Sequence, residues 1–210
     1  MMQRRSFLSR VSVAAAAFGL VRPREAAAAV NGFEPSRHTQ DDWMDQLPGK
    51  HRVVFDTWSA DKFDDAIRFA NNIFRGNKDG YELVEKDLAV IIIARHRTAP
   101  FAYNDAMWAK YGKAFSERME YVDPKTKEAP TKNPYGTQLA ALVKQGVHLG
   151  ICNLTTRSYS QRLAELAGKP ADEIYKEITG NTVGNGHFVP AGVVGATRAQ
   201  EHGYALVSIG

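Results

Sequence analysis

The chain reads as an α/β protein, a three-layer α/β/α sandwich around a mainly parallel sheet of about five strands. Two observations carry that reading. Short runs rich in β-branched and aromatic residues alternate along the chain with segments whose apolar residues recur at helical spacing. One run, Leu88 to Ala94, is apolar without interruption, which suits a parallel strand covered on both faces.

The elements follow in order. His51 to Trp58 forms the first strand. Asp61 is placed to cap a helix in which Phe63, Ala66, Ile67, Ala70 and Phe74 share one face, with Gly76 as its stop. Leu88 to Ala94 is the second strand. Ala102 to Tyr111, with Met107 and Trp108, reads as a short helix. Glu120 to Asn133 is rich in Lys, Pro and Thr and reads as an exposed loop. Pro134 to Gln145 is helical, with Leu139, Leu142 and Val143 on one face and Gly146 as its stop. Val147 to Cys152 is the third strand, followed by a polar turn, Asn153 to Thr156. Ser160 to Ala167 and Ala171 to Ile178 are helical pieces split by Gly168-Lys169-Pro170. A glycine-rich loop, Gly180 to Gly186, leads to a short strand at Phe188-Val189-Pro190. Ala191 to His202 closes as a helix, and Tyr204 to Ile209 is the last strand.

The amino terminus predicts a different fate for residues 1–29. Arg4-Arg5 followed by Phe7-Leu8 matches a twin-arginine export signal. A soft, Ala-rich apolar stretch from Val11 to Val21 is too short to span a bilayer in the mature protein. Ala26 to Ala29 offers a small-residue cleavage site. The expected organisation is a signal over 1–29, a polar lead-in over 30–50 and one α/β domain over 51–210. The expected location is the periplasm, with no membrane span after cleavage.

Charge supports that division. The whole chain carries 27 Lys+Arg against 23 Asp+Glu, a formal net charge of +4. Arg4, Arg5, Arg10, Arg22 and Arg24 against Glu25 account for that excess, so the remainder is neutral. The basic balance therefore belongs to the signal and gives no reason to expect nucleic-acid binding.

In parallel α/β sheets, ligands and chemistry collect beyond the carboxyl ends of the strands. Arg95-His96-Arg97 follows the second strand, Cys152-Asn153 the third, and Pro190-Ala191-Gly192 the fourth. Cys152 is the chain's only cysteine. In an oxidising compartment a lone thiol is buried and inert, paired with another chain, or kept for its reactivity. Reactivity would need exposure and a lowered pKa, which a helix N-terminus and a nearby Arg or His can supply. Burial is the competing reading, since free Cys is among the most buried residue types. His96 would bind an anion, ligate a metal, tune the thiol, or simply belong to a solvated basic turn.

Other chemistry finds no motif. The six histidines show no metal-ligand spacing. Gly184-Asn185-Gly186 lacks the third glycine and the preceding strand of a dinucleotide fingerprint. No Gly-x-Ser-x-Gly elbow occurs. Trp43, Trp58 and Trp108 read first as core or interface residues. No cofactor, metal or substrate turnover is expected from these patterns.

Two stretches resemble the DsrE/DsrF-like family. One runs from Gly146-Val147 through Cys152-Asn153 to Thr155. The other is Val189-Pro190-Ala191-Gly192-Val193-Val194, followed by Gln200-Glu201-His202-Gly203-Tyr204-Ala205. The segment from Arg95-His96 through Thr98-Ala99-Pro100-Phe101 to Met107-Trp108 is similar to exported members of that group. The resemblance covers roughly His51 to Ile209. It implies a compact α/β/α sandwich, a symmetric homo-oligomer (trimer or hexamer), and a cysteine that carries sulfur as a persulfide between donor and acceptor proteins. On that likeness Cys152 is the carrier. The chain departs from the cytoplasmic carriers in its export signal and in an insertion around Glu117 to Asn133. The other function class is a non-catalytic oligomeric binding protein in which the strand-end crevice, with Arg95, His96, Asn153 and Gly192, holds a small ligand or partner and Cys152 only packs.

Overall fold

The computed structural model describes residues 34–210. The predicted export signal and the first residues of the lead-in lie outside that range. From His38 onward the chain forms one compact unit. Its helices are α1 (Trp43–Gln46), α2 (Phe63–Tyr81), α3 (Asp105–Met119), α4 (Gly136–Lys144), α5 (Asn153–Ala167), α6 (Ala171–Thr179) and α7 (Gly192–Glu201). Its strands are β1 (His51–Thr57), β2 (Leu88–Ala94), β3 (His148–Cys152), β4 (Gly186–Val189) and β5 (Ala205–Ile209). The strands form one sheet in the order β4-β3-β2-β1-β5, and every pairing is parallel. Helices cover both faces, so the molecule is the three-layer α/β/α sandwich read from the sequence. No helix among the described residues is long and apolar enough to cross a membrane.

The two faces are unequal. On one, Phe55, Val90, Ile92, Leu149 and Ile151 pack under α2 to α6, with Trp108, Phe115, Leu142 and Ile174 closing a large apolar core. On the other, Val54, Ile91, Ile93 and Val189 meet a thinner cover made by α7 and α1. Alternation along the strands sorts the side chains. The second face also takes Met44, at 0% exposure, and Leu47, so the segment read as a polar lead-in contributes two core residues. Alpha-7 approaches the sheet closely because its contact row is small: Gly195, Ala196 and Ala199 are buried. A Cβ at Gly195 would stand 2.8 Å from Val189 Cγ2.

Four local readings change. Alpha-2 passes Gly76 and ends at Tyr81, with Glu82 in the left-handed conformation. Gly76 faces open space and only weakens the helix there. His96–Ala102 forms 3-10 turns, and α3 starts later, where the Asn104 side chain accepts from the Ala106 and Met107 N–H groups. It then runs on to Met119 because Trp108, Tyr111 and Phe115 continue the buried stripe. The polar Asn153–Thr156 is no turn but the first turn of α5. Glu120–Asn133 is mostly exposed, as read, yet its last residue is buried. Asn133 Nδ2 donates to the Phe101 and Tyr103 carbonyls, both at 2.7 Å, and its Oδ1 accepts from Tyr135 N–H at 2.9 Å.

Candidate functional site

Cys152 ends β3 and is the N-cap of α5, so strand and helix join with no loop between them. Its Sγ lies beneath the first turn of the helix. The Thr155 N–H donates to Sγ at 3.4 Å and the Thr155 hydroxyl at 3.1 Å. That hydroxyl in turn accepts from the His96 N–H at 3.2 Å. The amide of the β2 end thus reaches the sulfur through one hydroxyl. His96 itself takes φ 53°, the left-handed region that few non-glycine residues adopt.

A charged pair stands beside the thiol on the same face of the sheet. Arg95 Nε donates to Asp56 Oδ1 at 2.6 Å, and its terminal nitrogen to Oδ2 at 2.9 Å. This bidentate geometry fixes the guanidinium plane, which also lies over the Trp58 ring at 5.0 Å. The Asp56 carboxylate holds Arg95 more firmly protonated than usual, burial opposes it, and negative charge on Cys152 would add to the hold. Gly192 explains how the arginine fits. A Cβ there would fall onto Arg95 Cβ and stand 2.6 Å from Cδ and 2.9 Å from Cγ. The glycine is the floor on which Arg95 lies.

Beneath the thiol a buried polar chain pins the strand end. The Thr156 hydroxyl donates to the Cys152 carbonyl at 3.0 Å, and Tyr103 Oη shares a hydrogen with Thr156 Oγ1 at 2.8 Å. Burial pushes the Tyr103 hydroxyl well above the ordinary tyrosine range, so it stays neutral. Asn153 is half-buried, and its Oδ1 accepts from Tyr175 Oη at 2.8 Å.

The predicted residues therefore gather at one end of the sheet but play unequal parts. Cys152 is 5% exposed, and Gly192 is buried under Arg95. Asn153 is engaged by Tyr175. His96 is exposed and faces an open groove of about 320 Å³, lined also by Arg97, Arg118, Leu154, Thr155, Ser158 and Tyr159. Sequence reading missed Asp56, Thr155, Arg118, Ser158 and Tyr159. The spacing of Thr155, Ser158 and Tyr159 on one helical face was visible only if α5 began at Asn153.

A second cluster was also missed. His148 on β3 and His187 on β4 meet with Nδ1 and Nε2 2.9 Å apart, and Trp43 stacks on His187 at 4.0 Å and 3°. Burial pushes His187 down to about 4, with His148 adding to the shift, and burial lowers His148 too. The pair is neutral near pH 7. Among the described residues no group of three or more His, Cys, Asp or Glu is placed to hold a metal.

The fold and site define an open parallel α/β sandwich with a thiol at the carboxyl end of an inner strand. No family model matches the chain, and no curated protein matches it. Among solved structures it is similar to a protein of unknown function from Methanobacterium thermoautotrophicum, at 16% identity and a TM-score of 0.44. The match covers 76% of this chain and 99% of that one.

Proposed function

We propose that the protein carries sulfane sulfur as a persulfide on Cys152 and assembles as a homo-oligomer, as its resemblance to DsrE/DsrF-like proteins implies, and that it does so in the periplasm, as the twin-arginine pattern of its amino terminus implies. The observation that supports this reading most is the pair of Thr155 donors on Sγ at 3.4 and 3.1 Å, at the N-terminus of α5. In the proposed step the Cys152 thiolate attacks the terminal sulfur of a persulfide or polysulfide donor. The new bond joins Sγ to that sulfur. The donor's own S–S bond breaks, and its electron pair leaves on the donor thiolate, which takes the proton. No external oxidant is needed. The same exchange in reverse hands the sulfur to an acceptor thiolate.

Intact-mass spectrometry after brief exposure of the reduced protein to polysulfide tests this directly. The expected result is a gain of one sulfur atom, absent in Cys152→Ser. A reduced, folded protein that gains no sulfur overturns the reading. Light scattering of the purified protein checks the assembly, for which a trimer or hexamer is expected.

The 5% exposure of Cys152 favours a second reading, an oligomeric binding protein in which the thiol is packing. A Cys152→Ser protein that keeps its fold and assembly but loses cellular function counts against it.

A further inference from the structure

The groove beside Thr155 has features that the thiol reading does not use. Arg118, near the end of α3, is held in place from α5: its guanidinium donates to the Ser158 carbonyl at 2.9 Å and to the Ser158 hydroxyl at 2.6 Å. It also lies over the Tyr159 ring at 4.4 Å. Those two bonds leave the rest of its five N–H donors unused. Among the described residues no carboxylate lies within ion-pair distance of Arg118. Arg97, on the same groove, pairs with the exposed Glu120 at 2.5 Å and, among the described residues, with no other carboxylate within ion-pair distance. Two guanidinium groups thus face one cavity against a single carboxylate that does not line it.

Tyr159 supplies an independent observation. As a whole residue it is only 2% exposed, yet it lines the groove, and its hydroxyl makes no hydrogen bond to any described residue. That hydroxyl is not sealed in the core, so its donor is open to water or to a ligand in the groove. Leu154 lines the same space and is 64% exposed, an apolar surface left open to solvent. The space, about 320 Å³, is far larger than a bare tetrahedral anion requires.

We propose that this groove is a binding site for a small organic anion. Its oxyanion head would meet Arg118, Arg97 and the Tyr159 hydroxyl, and its compact apolar body would lie against Leu154. A phosphomonoester or sulfonate has that form, and a guanidinium matches such heads through paired N–H donors. The site does not depend on sulfur chemistry at Cys152.

Titration calorimetry of the purified full chain with phenyl phosphate and, separately, inorganic phosphate tests the assignment. Saturable binding is expected for phenyl phosphate, about tenfold tighter than for inorganic phosphate. Arg118→Gln should weaken it by about tenfold or more, the worth of one charge-assisted hydrogen bond. Leu154→Asp, at an exposed position that leaves folding alone, should weaken it at least as much. Cys152→Ser should bind as the parent does, which separates this outcome from failure of the persulfide reading. Equal affinity for the two probes overturns the organic body of the ligand. No saturable binding of either, or binding unchanged by both Arg118→Gln and Leu154→Asp, overturns the site.

Discussion

Replacing a helical glycine by alanine should have opposite effects at two places in this molecule. Gly76 lies within α2 and faces open space. Alanine there loses less backbone entropy on folding and should stabilise the protein by about 0.5–1 kcal/mol. Gly192 opens α7, where the same propensity gain is available in principle. Its Cβ, however, would fall onto Arg95 Cβ, with Cδ at 2.6 Å and Cγ at 2.9 Å. Cβ is the stiff root of the side chain, so Arg95 cannot escape by changing rotamer. Its guanidinium is tied at the far end to Asp56 by bonds of 2.6 and 2.9 Å. Relief requires α7 to lift from the sheet or the ion pair to open. Overpacking of this kind costs about 1–3 kcal/mol, and strain on a largely buried charged pair adds about 1 kcal/mol or more. The helix-propensity gain offsets about 1 kcal/mol at most. Gly192→Ala should therefore destabilise by about 1–3 kcal/mol, which at this size lowers the melting temperature by about 2–12 °C. Urea denaturation of both variants beside the parent protein is the assay. A Gly192→Ala protein as stable as Gly76→Ala would refute the claim that Arg95 rests on the glycine.

Three other outcomes follow from the site and its supports. Asn133→Ala leaves the Phe101 and Tyr103 carbonyls without their donor, and a loss of about 2–4 kcal/mol in denaturant melts is expected. Thr155→Val removes the hydroxyl between His96 N–H and Cys152 Sγ, so Cys152 should react several-fold more slowly with iodoacetamide in the folded protein, and an unchanged rate would exclude the hydroxyl as a tuning group. His187 has a folded pKa pushed below its unfolded value, from 6.5 to about 4, so the unfolded chain binds the proton first as pH falls. Its contribution to stability is whole above the unfolded value and is lost as pH falls through the window down to about 4, which unfolding midpoints and Trp43 fluorescence should record, with a shallower slope in His187→Phe.

Much of this architecture was legible because parallel strands advertise themselves. Leu88 to Ala94 is apolar at every position since both faces are covered, and all seven of its residues are buried. The carboxyl ends of β2, β3 and β4 could be named in advance, and Arg95, Cys152 and Gly192 do meet there. What stayed hidden depends on pairings that local pattern does not encode. Asn153 to Thr156 is polar, and polarity suggested a turn. In the fold they are the first turn of α5: the Thr155 hydroxyl reaches the sulfur, the Thr156 hydroxyl bonds the strand's last carbonyl, Asn153 accepts from Tyr175, and Leu154 stays exposed. His148 and His187 become neighbours only through the β3–β4 register, in which Gly150 pairs with His187. Arg118 enters the groove because α3 runs two turns past its expected end, carried by aromatic packing rather than by its own amphipathic pattern.

The strand order has a consequence for how the sheet is completed. Beta-1 is an inner strand, and one of its two neighbours is β5, which lies far from it in sequence: Val53 pairs with Ala205 and Thr57 with Ile209. Until β5 docks, one side of β1 presents a bare row of amide and carbonyl groups flanked by Val53, Val54 and Phe55, an open template for pairing with other chains. Contacts this distant in sequence also form slowly. A chain whose β5 is cut away or cannot pair should therefore go to aggregates or proteases rather than merely lose an edge.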